Sequence, residues 1–171
     1  MQKPRWVVVM LCELLLLGGC VDTSRPPSYE SVGQAEEDMA QSDGLPEAHP
    51  AFKVHFTHAL YEDEGAEFTP FGSDEGWDLV MEWGERRDEL DPEVTVSQLL
   101  ELSDFAGAEN EGDVDAATIT VGAGFTVLRL TGQIDEAGRR HTLRALQTLE
   151  DFYGPIEEVG VQRRDLESWP D

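Results

Sequence analysis

The stretch ATITVGAGFTVLRL at residues 117–130 is the one on which the fold class turns. Thr118, Ile119, Thr120, Val121, Thr126 and Val127 are β-branched, a composition that suits the pleated, half-buried surface of a sheet. It reads as strand, with Gly122 and Gly124 marking a bulge or break inside it.

Downstream, Asp135 is placed to cap a helix in which Leu143, Leu146, Leu149 and Phe152 recur at helical spacing as the inward face. Arg139, Arg140 and Arg144 fall on the outward face, and Gly154 followed by Pro155 is a stop. Residues 156–161 add an edge strand, and 163–171 read as a tail. Upstream, Ser73 followed by Asp74 and Glu75 marks a helix start, with Trp77, Val80, Met81 and Gly84 on one face, running to about Leu90 and ending near Pro92. Thr95 with Gln98 forms a capping box ahead of a second, short helix that buries Val96, Leu99 and Leu100. Residues 62–67 are an acidic turn and 107–115 an acidic loop.

The folded part begins near His49 and Pro50. Phe52, Val54 and Phe56 alternate with Lys53, His55 and Thr57, which favours a strand, although Phe52, Phe56 and Leu60 would also suit one helix face. Strands and helices without regular alternation predict a single small α+β domain, a few strands packed with about three helices.

Lys3 and Arg5 precede an apolar run from Trp6 to Leu17, interrupted by Glu13. This is the pattern of a secretory signal, too short for the ~20 residues that cross a bilayer. Leu17, Gly18, Gly19 and Cys20 then resemble the lipobox of bacterial lipoproteins. That resemblance implies cleavage before Cys20, a diacylglycerol on its thiol, and anchoring at the cell membrane or outer membrane, facing away from the cytoplasm. Val21 after the cysteine resembles lipoproteins passed on to the outer membrane. Residues 1–19 are thus expected to be a signal peptide, 20–48 a disordered linker rich in acids, proline and serine, and 49–171 an acidic globular domain.

Cys12 and Cys20 are the chain's two cysteines, so the domain has no thiol for a disulfide or a thiolate zinc site. The whole chain carries a formal −24, unevenly spread. Residues 49–115 hold 19 Asp and Glu against 3 Lys and Arg, whereas 116–171 hold 9 against 6. Such a field repels phosphates and anionic headgroups, arguing against nucleic-acid binding and for a soluble monomer whose partners would be cations or basic proteins.

Two acidic stretches are candidate cation sites: Asp74, Glu75 and Asp78, and Glu109, Glu111, Asp113 and Asp115. Carboxylates are the hard ligands calcium takes, but neither spacing matches an EF-hand. His55, His58 and His49 with Glu62 could in principle hold zinc, although residues three apart on a strand face opposite sides. Gly122, Ala123 and Gly124 imitate a dinucleotide fingerprint, yet Val127 stands where its third glycine belongs. No cofactor motif is complete, and neither a serine elbow nor a catalytic cysteine is visible.

Ala48, His49, Pro50 and Phe52, then residues 68 and 70–76, and later Leu128, Leu130, Thr131, Gly132, Ile134 and Asp135, resemble the YfeS-like group of small bacterial proteins. The resemblance implies no activity that could be carried over. The expectation is a lipid-anchored, non-enzymatic interaction or structural module whose partner would be a basic protein or a cation. The alternatives are a calcium-binding domain and an envelope hydrolase using a carboxylate with His141 or His58.

Overall fold

Residues 114–131 form a helix enclosed by the rest of the chain. The computed structural model describes residues 44–170. Cys20, the signal stretch and the linker up to residue 43 lie outside them. In order come α1 (Pro50–His55), a 3-10 turn (Ala59–Glu62), α2 (Asp74–Glu85), a second such turn (Arg87–Glu89) and α3 (Val96–Leu102). A third turn (Ala108–Asn110), α4 (Val114–Thr131), α5 (Glu136–Tyr153) and α6 (Glu157–Glu167) follow. There is no strand among the described residues, so the fold is all-α and the α+β expectation is corrected. Nor is any helix among them long and apolar enough to cross a membrane.

The β-branched stretch becomes α4 because it is apolar on every side and every side is covered. Residues 120–130 are all buried, with α2, α3 and α5 packed against the helix. Ala117, Val121, Phe125 and Leu128 join one core cluster, and Ala116, Ala123, Val127 and Leu130 join a second. Three of its four threonines fit because Thr118, Thr120 and Thr131 donate to the carbonyls of Val114, Ala116 and Val127, at 2.8–3.0 Å, whereas the buried Thr126 hydroxyl has no partner. Asp113 accepts from the Ala116 N–H at 2.9 Å, and Gly132, at φ 73°, ends the helix in the left-handed conformation.

The two glycines are contact points, not a bulge. A Cβ on Gly122 would stand 2.8 Å from the Gly76 Cα of α2, and one on Gly124 would stand 2.2 Å from Thr142 Oγ1 of α5. Small residues here let three helices approach closely.

The other two strands are also corrected. Phe52 in α1 and Phe56 at its C-terminal cap are four apart and both buried, while Val54 is 81 % exposed, which is helical and not alternating burial. Residues 156–161 and most of the supposed tail form α6, which buries Val159, Val161 and Leu166, and Trp169 beyond it stacks on Phe56. The helix starts are better marked. Ser73 Oγ accepts from the Gly76 N–H, Thr95 and Gln98 make a full capping box, and Asp135 caps α5. Even so, α2 turns Leu79, Val80 and Trp83 inward, leaving Trp77, Met81 and Gly84 half-buried, and Phe152 is 69 % exposed. Residues 45–48, assigned to the linker by composition, are packed: Leu45 lies against the core, and Ala48 is buried.

The Arg129 side chain is 3 % exposed and ties these parts together. Its Nε donates to Pro46 O at 2.8 Å and its Nη1 to Tyr61 O at 3.1 Å. The guanidinium also grips both carboxylate oxygens of Glu62, at 3.0 and 2.8 Å. Arg129→Met would strand two carbonyls in the interior and is expected to cost about 3 kcal/mol in urea unfolding. Glu62→Gln, at a side chain 60 % exposed, should cost about 1 kcal/mol. Gly122→Val, which forces α4 away from α2, should cost about 2 kcal/mol.

Candidate functional site

The acids singled out by spacing act mostly at helix ends. Asp74 and Glu75 occupy the exposed first turn of α2, where the helix dipole favours negative charge, and Asp78 lies exposed one turn on. Glu109 accepts from Ser97 Oγ at 2.9 Å, Glu111 is exposed, Asp113 caps α4, and Asp115 sits in its first turn. Among the described residues no three His, Cys, Asp or Glu are grouped to hold a metal ion. Gly122 and Gly124 lie inside α4 and face helices, which leaves no phosphate-binding loop there.

The histidines are separately engaged. His49 Nδ1 caps α1 by accepting from the Ala51 N–H, and His58 Nδ1 accepts from the Leu60 N–H. His55 Nε2 lies 2.7 Å from Asp165 O, a contact in which the imidazole must donate. Ser168 Oγ donates to the same carbonyl at 3.0 Å. Although Ser168 Oγ is 3.4 Å from His55 Nε2, that nitrogen carries its proton toward the backbone and is not poised as a base for the hydroxyl. His141 Nδ1 and Glu109 Oε2 are buried, unpartnered, and on residues that line one cavity of about 180 Å³. The hydroxyls of Thr120 and Thr148, also in its wall, donate along their own helices.

A second cavity of about 180 Å³ brings together acids that lie far apart in sequence. Glu67 precedes α2, Glu75 lies in its first turn, and Asp115 lies in the first turn of α4. All three are exposed, and none is ion-paired with a Lys or Arg among the described residues. Val121 and Leu149 supply buried apolar wall, and Thr69, Ser73, Thr118, Tyr153 and Gln162 complete its polar lining. Gln162 is 1 % exposed. Its Nε2 donates to Phe68 O at 2.6 Å and Glu158 O at 3.2 Å, while its Oε1 has no partner. No Lys, Arg or His lines this space.

Of the acids that composition singles out, Glu75 and Asp115 share this cavity, whereas Asp74, Asp78, Glu109, Glu111 and Asp113 do not line it. Spacing and composition do not point to Glu67, Thr118, Tyr153 or Gln162. The strong stop at Gly154 and Pro155 could draw attention to Tyr153, but a segment that reads as edge strand and tail hides Gln162.

Residues carrying the YfeS-like resemblance do structural work: Ala48, Phe52, Phe71, Leu128 and Leu130 are core, and Ser73, Gly132 and Asp135 are caps. No protein-family model, curated protein or solved structure matches the chain.

Tyr61 is fully buried and donates to Asp165 Oδ2 at 2.8 Å. Burial first, and that hydrogen bond to a carboxylate second, push its phenol well above the ordinary range. A raised folded-state value means the contribution to stability is complete below the unfolded phenol's pKa of ~10 and is lost as pH rises above it. Stability measured by urea unfolding should therefore fall above pH ~10, and Tyr61→Phe should flatten that part of the fall.

Proposed function

We propose that the chain is a non-catalytic binding module, held by lipid on Cys20 to the outer side of a bacterial membrane, which engages cationic groups through its acidic surface. The observation that carries this reading is the cavity edged by Glu67, Glu75 and Asp115, where acids gather without a compensating base. Two helix N-termini open toward it, and each contributes about +0.5 of a charge. That is less than the charge of three carboxylates, so the space remains negative.

The charge imbalance supports the same reading. Lys53, Arg86, Arg129, Arg140 and Arg163 are ion-paired with glutamates within the fold, which leaves most of the acids to the solvent. A basic partner would be steered to such a surface, and salt would screen it at Debye lengths near ~10 Å. The lipobox-like segment supports the anchor, since two or more acyl chains hold a protein stably where one does not.

The hydrolytic alternative has one observation in its favour, the unpartnered His141 and Glu109 atoms on the wall of a common cavity. It ranks second because both of those atoms are shut off from solvent, out of a substrate's reach, and the other oxygen of Glu109 is already held by Ser97.

Two measurements test the leading reading. The full chain should capture a basic protein at low salt and release it at high salt, and salt-insensitive capture or none would refute the acidic-surface mechanism. Separately, Cys20→Ser should move the expressed protein from the membrane fraction to the soluble one. An unchanged distribution would remove the anchor.

A further inference from the structure

We propose that the C-terminal end of α5 is a docking surface for a basic protein segment that also carries an apolar side chain. This rests on the acidic-surface reading and adds to it the face that makes contact and the partner that fits it.

Phe152 follows Leu146 and Leu149 at the spacing of the inward face, yet it is 69 % exposed, and Tyr153 beside it is 48 % exposed. Tyr153 packs edge to face on Phe68 at 5.2 Å, and Phe152 on Tyr153 at 4.9 Å. Three adjoining rings thus form one apolar ridge. The other large hydrophobic residues exposed among the described ones, Val54 and Leu102, stand singly on α1 and α3. The helix does not need these rings in order to end, because the Gly154 N–H donates to Glu150 O and the buried Leu146 and Leu149 already face the core. Aromatic side chains gathered in water are the usual anchors of protein interfaces, where they bring large rigid area and few rotamers to freeze.

Beside the ridge, a groove of about 570 Å³ runs between the start of α4 and the last turns of α5. Phe152 lines it together with Asp113, Asp115 and Asp151, and no base does. None of these three acids is ion-paired with a Lys or Arg among the described residues. Phe68 and Tyr153 in turn line the cavity that holds Glu67, and Asp115 borders both spaces. Of the neighbouring cations, Arg163 is held by Gln147 and Glu150, and Arg144 lines a different cavity.

Apolar rings edged by unpaired carboxylates discriminate between occupants. A second copy of the chain, in a two-fold contact, would set the same acids against one another. An anionic bilayer surface is repelled for the same reason. Residues 21–43 of the chain are no better matched, with six Asp and Glu against one Arg. A basic segment meets the opposite field: the acids steer it in, its apolar side chain lies on Phe152 and Tyr153, and its Arg or Lys reaches the groove acids.

Two peptides of equal charge, one alternating Arg and Leu and one alternating Arg and Ser, test this by fluorescence anisotropy with the full chain. At low salt the Arg–Leu peptide should bind at least about tenfold more tightly, the factor that an aromatic anchor supplies. Phe152→Gln should remove most of that preference, and Asp151→Asn should weaken both peptides severalfold. Leu102→Gln, at a comparably exposed position on α3, should change neither. All three variants alter exposed side chains, so their urea unfolding should match that of the parent.

If the two peptides bind alike, or if Phe152→Gln or Asp151→Asn leaves binding intact, the docking surface is overturned while salt-sensitive capture still supports the acidic-surface reading. A dimer seen by sedimentation and lost in Phe152→Gln would give the face to a second copy and overturn it too. Binding of neither peptide removes both readings.

Discussion

A single cation in the interior sets the terms for this fold. Arg129 lies two residues before the end of α4, and a guanidinium cannot be left unsatisfied among apolar side chains without a cost of several kcal/mol. The chain meets this by bringing three acceptors from outside the helix: a carbonyl at Pro46, a carbonyl at Tyr61 and the carboxylate of Glu62. The rings of Phe52 and Phe71 stand 5.7 and 5.5 Å from the guanidinium carbon. The segment before α1, the turn after it and the buried helix are thereby held in one arrangement. Glu62 keeps most of its side chain in water, so the pair is only half desolvated and avoids much of the penalty that a fully buried pair carries.

That arrangement explains which parts of the fold are legible in the residues. A helix with one wet face writes its period into the sequence, and a helix end writes its cap. α3 and α5 are therefore readable from Thr95, Gln98, Asp135 and Gly154 alone. α4 has no wet face over most of its length. With residues 120–130 buried on every side, its periodicity vanishes, and local β preference becomes the loudest remaining feature although tertiary packing overrides it. Its length is the better clue. Residues 114–131 sit between a capping Asp113 and a Gly132 that only a left-handed turn requires, a span far longer than the 5–6 residues of a usual strand. α1 misleads for another reason: over so few residues, alternation and helical spacing both fit, and only the exposure of Val54 separates them.

The candidate site is legible in part. Glu75 and Asp115 stand out as acids in unusual stretches, but nothing in a linear reading says that the starts of two helices separated by about forty residues share one cavity. Gln162 is invisible there for a deeper reason. A glutamine is ordinary on any exposed helix, and it becomes informative only when it is enclosed, anchored by two carbonyls and left with an oxygen unmatched.

Charge links the stability of this domain to its binding. Glu75 and Asp115 favour their helices by their place beside N-terminal dipoles, and both also line a cavity that has no base in its wall. A cation held among these carboxylates would bind the native state and not the unfolded chain. By mass action the folded form then gains RT ln(1 + [L]/Kd), about 2.7 kcal/mol at a hundredfold excess over Kd, without rearrangement of the core. Occupancy and folding are coupled at this cavity because the carboxylates placed to start α2 and α4 are those left exposed to the ligand.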